Sequence, residues 1–189
     1  MIYETNTNRV LVYEGAAWVM IADTDQPPGL QLITSGSYSG NNFILNNVFS
    51  SEYTNYRIIL NDFTSPGGIR TIALQMTSSG SAPSSAYYWG AYYSTWSGGF
   101  GPANSGSGGL VYFTVITSSN GSPSASQIEI QRPFETDQTT VQWVSTNYDA
   151  GYSGGGYQSA AQSFDGFRIT NTVSNDTNTF NYFVYGYRS

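Results

Sequence analysis

The sequence predicts an all-β chain: an antiparallel two-sheet sandwich, jelly-roll-like, preceded by a short N-terminal β-meander. Three observations carry this. Ser, Thr, Asn, Gly and Tyr dominate and only 10% of the 189 residues are charged, so the Ala, Leu, Glu and Lys vocabulary of helices is missing. Aromatic residues make up 16% and there are 21 glycines, which suits short strands joined by tight turns. Roughly eight to ten short apolar or alternating runs then follow one another with turn signals between them, the pattern of a sandwich.

Taken in order, residues 1–29 form the first unit. Ile2-Tyr3-Glu4 is a short apolar strand, Thr5-Asn6-Thr7-Asn8 a polar turn, and Arg9-Val10-Leu11-Val12-Tyr13 a second strand. Glu14-Gly15-Ala16-Ala17 then turns the chain into Trp18-Val19. Two or three short strands are marginal alone in water. Tyr3, Val10, Val12 and Trp18 therefore need surface from the body of the chain or from sister chains, and are the candidate assembly residues. Pro27-Pro28 ends the unit in a stiff, extended connector, so a boundary is expected there, with a second domain over residues 30–189.

Strands are expected at Leu30–Thr34, Asn42–Phe49, Tyr56–Asp62, Ile69–Thr77, Ala86–Tyr93, Leu110–Thr117, Gln127–Arg132, Thr140–Thr146, Phe164–Thr170 and Phe180–Tyr187. Gln127-Ile128-Glu129-Ile130-Gln131 alternates cleanly, which sets one face in a core and the other in water. In the last strand Tyr182, Val184 and Gly186 alternate with Phe183, Tyr185 and Tyr187, giving two apolar faces suited to a sandwich interior or a subunit contact. Ser94–Gly109 and Tyr148–Gln158 read as long Gly-rich loops, and such connections in a compact domain are usually functional or disordered.

Composition excludes several functions. The formal charge is −6 with no Lys and six Arg, so no basic stripe exists to bind nucleic acid. An anionic membrane surface repels the chain for the same reason, and every apolar run is strand-sized, so no membrane insertion is expected. The sequence shows no basic start followed by an apolar core, and no secretory leader is expected. Without Cys or His there is no disulfide, thiol, zinc or imidazole chemistry, and no base for a serine triad. Asp23-Thr24-Asp25 clusters oxygens but lacks the calcium-loop pattern. No cofactor and no metal are expected.

Two features could still carry chemistry. Tyr87, Tyr88, Trp89, Tyr92, Tyr93, Trp96 and Phe100 crowd one stretch, and Tyr148, Tyr152 and Tyr157 another. Aromatic faces stack on sugar rings, and Tyr, Ser, Gly and Asn together give contact area at small entropic cost. Core or subunit packing is the plainer role for the Tyr87–Tyr93 row. Trp96, Phe100, Tyr148, Tyr152 and Tyr157 are the candidate ligand-binding residues. Glu129, Glu135, Asp137, Asp149 and Asp165 are the acids a glycosidase would draw on, but no spacing pairs any two. They read as solvated or turn-forming, and no catalytic residue is assigned.

The opening unit Tyr3-Glu4-Thr5-Asn6-Thr7-Asn8-Arg9 through Tyr13-Glu14-Gly15-Ala16-Ala17-Trp18-Val19 resembles a segment that recurs in fibre and other structural proteins of tailed phages. Tyr53–Leu60 with Ile69-Arg70 and Leu74–Gly80, and Phe164–Ile169 with Phe183–Arg188, resemble the start and the end of a terminal domain of phage virion proteins. The resemblance implies a homotrimeric protein on the virion exterior. It implies a fibre tip or a decoration protein, attached to other virion proteins through residues 1–29 and presenting a surface to host glycans. A free carbohydrate-binding module and a polysaccharide depolymerase are the rival readings.

Overall fold

The computed structural model describes residues 2–4, 9–23, 29–65, 70–83, 85–110, 113–118, 123–171 and 177–188. Fifteen strands run β1 (Ile2–Glu4), β2 (Arg9–Tyr13), β3 (Trp18–Asp23), β4 (Gly29–Gly40), β5 (Asn42–Leu45), β6 (Asn55–Thr64), β7 (Arg70–Thr77) and β8 (Tyr87–Thr95). There follow β9 (Phe100–Leu110), β10 (Phe113–Ser118), β11 (Ser124–Gln131), β12 (Thr139–Thr146), β13 (Ala150–Gln158), β14 (Gly166–Asn171) and β15 (Asn178–Arg188). No helix occurs among the described residues, and the chain is an all-β antiparallel sandwich.

Eight of these strands wind as a jelly roll. One layer has the order β4-β15-β6-β11 and the other β5-β14-β7-β10, so the first strand of the sandwich pairs with the last. Two hairpins are inserted into this winding, β8–β9 after β7 and β12–β13 after β11. Both join the first layer, in the order β12-β13-β8-β9, and extend it to an eight-stranded sheet. The strands β13 and β8, from different hairpins, pair antiparallel from Ala150↔Thr95 to Gln158↔Tyr87.

Alternation along the strands explains the layering. Tyr56, Ile58 and Leu60 of β6, Ile128 and Ile130 of β11, Val141 and Trp143 of β12, and Tyr87 and Trp89 of β8 all face inward and are buried. They meet Ile72, Leu74 and Met76 of β7 and Phe167 and Ile169 of β14. Each such side chain stabilises the fold by about 1.5–3 kcal/mol relative to exposure. One polar contact ties the layers: the Met76 N–H donates to the Tyr87 hydroxyl at 3.1 Å. In β15 Val184 and Phe180 are buried, while Phe183, Tyr185 and Tyr187 are half-buried on the outer phase.

The two expected loops are corrected. Phe100–Leu110 and Ala150–Gln158 are strands β9 and β13. Gly and Ser suggest loops because they leave nothing to pack, but in β13 the neighbours supply the bulk. A Cβ on Gly154 would collide with the Trp143 ring, and one on Gly156 with the Tyr88 carbonyl and Trp89. These glycines admit large aromatic neighbours across a strand that is otherwise regular.

The strands β1, β2 and β3 form a three-stranded antiparallel sheet whose hydrogen bonds, among the described residues, stay within itself. Gly15 takes φ +87° in the β2–β3 turn, a conformation that glycine adopts without a Cβ penalty. The turn sets Tyr13 against Trp18 with ring centres 5.3 Å apart. Tyr13 and Trp18 are 54% and 49% exposed, and Val12 is half-buried. Tyr3 and Val10 pair across β1 and β2, and their side chains lie outside the described ones. Residues 24–28, which hold the Pro27-Pro28 connector and part of the acidic Asp23–Asp25 run, also lie outside the described residues.

Candidate functional site

The outer face of the extended sheet carries a trough along β13. The outward phase of that strand is Gly151, Ser153 and Gly155, followed by Tyr157. Register places these beside Thr146, Val144, Gln142 and Thr140 of β12, and beside Ser94, Tyr92, Gly90 and Tyr88 of β8. The floor is therefore small from Gly151 to Gly155, flanked by Val144 and Gln142 on β12 and by Tyr92, with Gly90 beside it, on β8. From Gly151 to Gly155 it runs about 14 Å, and the flanking strands stand about 10 Å apart, by standard strand spacings.

The walls differ. On one side the Tyr92 and Phe100 rings stack with planes 12° apart and centres 6.2 Å apart. On the other stands Val144, an aliphatic side chain 54% exposed. Trp96 closes one end: its Nε1–H donates to the Tyr148 carbonyl at 2.8 Å and its backbone N–H to the Asp149 carbonyl at 3.2 Å. Tyr157 and Tyr88 stack at the other end, 4.8 Å apart. The cleft beside Trp96, Phe100 and Val144 holds about 320 Å³, and an adjoining hollow over Gln127, Gln142 and Gly155 about 440 Å³.

Local sequence builds the Trp96 end. The β12–β13 turn is an Asx turn in which Asn147 Oδ1 accepts from the Asp149 and Ala150 N–H groups at 2.9 and 2.8 Å. The β8–β9 turn closes through Thr95 N–H to the Gly99 carbonyl at 2.7 Å, with Thr95 Oγ1 accepting from the Gly99 N–H at 2.7 Å. The two turns lie side by side, and the Trp96 hydrogen bonds join them.

Of the residues predicted to bind ligand, Trp96 (66% exposed) and Phe100 (78% exposed) meet at the cleft. Tyr148 is exposed and reaches it only through its carbonyl. Tyr157 lies at the far end. Tyr152 borders the cleft, but its register partner is Tyr93, and the two rings stand 6.4 Å apart on the alternate phase. Sequence reasoning missed Tyr92, Val144, Thr146 and Ser153. The alternation of Tyr87 to Tyr93 held the signal for Tyr92, whose neighbour Ala91 is buried.

Three of the candidate carboxylates have separate partners. Glu129 accepts from Arg57 Nε at 2.5 Å, Tyr187 Oη at 2.9 Å and Gln127 Nε2 at 3.3 Å. Burial first, and then its bond to Glu129, push the Tyr187 phenol pKa up. Asp137 pairs with Arg132 at 2.8 Å. Asp165 accepts from the Ser79 N–H through both oxygens, at 3.0 and 2.9 Å, and its carbonyl accepts from the Val48 and Phe49 N–H groups. It is a long-range junction beyond the local turn expected of it. Among the described residues, no three His, Cys, Asp or Glu side chains gather at a metal-binding distance, and no carboxylate lines the cleft.

What fold and site define is an all-β jelly roll with an aromatic-walled trough on its larger sheet. No family model and no curated protein matches the chain. Among solved structures it is similar to a chain of the infectious bursal disease virus Gt strain at 9% identity and TM-score 0.15, over 95% of this chain and 46% of that one. The VP2 subviral particle of the same virus matches at 9% identity and TM-score 0.15, over 96% and 46%. The chain thus spans just under half the length of the chains it matches, and a likeness at these scores carries no functional argument.

Proposed function

We propose that this chain is a non-enzymatic structural protein of a tailed-phage virion, a homotrimeric fibre or decoration protein exposed on the particle exterior that touches host-surface glycan. The observation that carries the reading is the Tyr13–Trp18 pair. It lies on a small sheet that hydrogen-bonds only within itself among the described residues, at the positions where the sequence resembles phage structural proteins. Two exposed aromatics on a unit too small to stand alone are accounted for by a sister chain or a neighbouring virion protein. Half-buried Phe183, Tyr185 and Tyr187 on the outer phase of β15 add surface for assembly between copies.

The test is incorporation. Chain lacking residues 1–28 is expected to fold and to be missing from purified particles. Truncated protein at normal levels on virions overturns the attachment role. A free carbohydrate-binding module is the reading that the trough favours when taken alone, and a monomer with full glycan binding would establish it. A depolymerase needs two convergent carboxylates, and no carboxylate lines the cleft, while Glu129, Asp137 and Asp165 are each engaged with different partners.

A further inference from the structure

We propose that the trough along β13 binds an uncharged polysaccharide laid lengthwise on the strand, its sugar rings stacking on the Tyr92–Phe100 pair and on Trp96. This rests on the functional reading above and specifies its ligand class. Three independent observations point there.

The aromatic walls are fixed in place yet open to solvent. Tyr92 and Phe100 hold each other parallel, and Trp96 is anchored by two hydrogen bonds with most of its surface in water. Aromatic surface of this kind, held around a cleft of about 320 Å³, has a flat apolar occupant as its natural complement.

The lining is uncharged. Among the described residues, Tyr, Ser, Thr, Val and Gly line the cleft with Trp96 and Phe100. Asp149 adjoins the cleft at the Trp96 end, where its carbonyl accepts the Trp96 N–H, and its side chain is not part of the lining. Glu129, in the adjoining hollow, is occupied by Arg57, Tyr187 and Gln127. An anionic glycan would find no cation here and would face a chain of net charge −6. Ser153, Thr146 and Gln142 put hydroxyl and amide groups along the floor and wall, where sugar hydroxyls need partners.

Two glycines of the exposed face, one on the floor and one in the β8 flank, have no internal reason. Gly154 and Gly156, on the inner phase, are required by Trp143 and Trp89. Gly151 on the outer phase and Gly90 facing Gly155 are different: a Cβ at either would meet nothing within 4 Å among the described residues. Neither has a positive φ. Glycine inside a strand costs about 0.5–1 kcal/mol relative to alanine, so the chain gains nothing internally from these two. An approaching ligand does, because bare positions on the floor at Gly151 and in the β8 flank at Gly90 let a sugar ring settle against the sheet.

The test is affinity electrophoresis of the full chain through gels containing a neutral glucan, mannan or galactan, or acidic polygalacturonate. At least one neutral polymer is expected to retard the protein, and polygalacturonate is not. Gly151→Val and Gly90→Thr are each expected to weaken retardation tenfold or more, with an unchanged or higher Tm and an unchanged sedimentation mass. Wild-type protein that ignores every neutral polymer, or that binds only polygalacturonate, overturns both this inference and the glycan part of the functional reading. Variants that bind like wild type overturn the inference alone. Variants that lower the sedimentation mass overturn it in favour of a contact between copies of the chain.

Discussion

Tyr87 is where the two layers are locked together by chemistry as well as by packing. Its hydroxyl accepts the buried Met76 N–H, and Tyr87→Phe would leave that donor without a partner, at a cost of about 1–3 kcal/mol. For a chain of this size, a Tm drop of about 2–4 °C per kcal/mol is the expected readout. Trp143→Ala removes a buried side chain packed over Gly154 and is expected to cost about 3–5 kcal/mol. Trp96→Ala should behave oppositely. Its ring is exposed and its two hydrogen bonds sit at a turn, so binding to neutral glycan is expected to fall at least tenfold while Tm shifts by about 2 °C or less. A drop comparable to that of Trp143→Ala would make Trp96 a packing residue. Trp96 and Phe100 were legible in the sequence because they are aromatics among glycines. Tyr92 and Val144 were not, because each sits on an alternating strand whose outward phase looks like ordinary solvent-facing sheet until a neighbouring strand is known.

At the scale of elements, β13 is the informative case. Its composition says loop, yet it is a nine-residue strand held between β12 and β8, because the sheet supplies the bulk that the strand lacks. Gly156→Ala is expected to destabilise the chain, since the new Cβ meets the Tyr88 carbonyl and the Trp89 backbone, which cannot rotate away. A thermal melt matching wild type would contradict that packing. Strands with aliphatic or aromatic alternation, such as Gln127–Gln131, were readable because one face had to be apolar. The strand order of the jelly-roll-like sandwich was not, since the pairing of β4 with β15 joins opposite ends of the sandwich domain and leaves no local trace. The β1–β3 sheet shares no ladder with the sandwich among the described residues. Removing residues 1–28 is therefore expected to move Tm by only about 2 °C, measured on the truncated chain, and a loss of cooperative melting would contradict the two-unit organisation.

The whole molecule titrates unusually. With no Lys, His or Cys, its alkaline behaviour is set by tyrosine. Burial is the main cause pushing the Tyr56 and Tyr87 phenols above their ordinary value of 10.0. The unfolded chain ionises these groups near pH 10 while the folded chain keeps them neutral. Their contribution is therefore complete below about pH 10 and is lost as pH rises through the raised values. Melts between pH 7 and 9.5 are expected to be flat in this respect, with Tm falling steeply above pH 10. Tyr87→Phe should soften that fall, and a Tm that holds above pH 11 would contradict the burial of these groups.

Assembly belongs to the same scale. The proposed homotrimer, with the exposed Tyr13–Trp18 pair and the outer phase of β15 as its contact surfaces, is expected at three times 20.5 kDa by sedimentation equilibrium. The most direct test of the account is where the protein sits. Antibody raised against this chain, applied to purified intact phage particles and viewed by negative-stain electron microscopy, is expected to decorate the particle exterior at regular positions. Particles that carry no label, while the same antibody finds the protein free in the lysate, would contradict a role as a surface-exposed virion component.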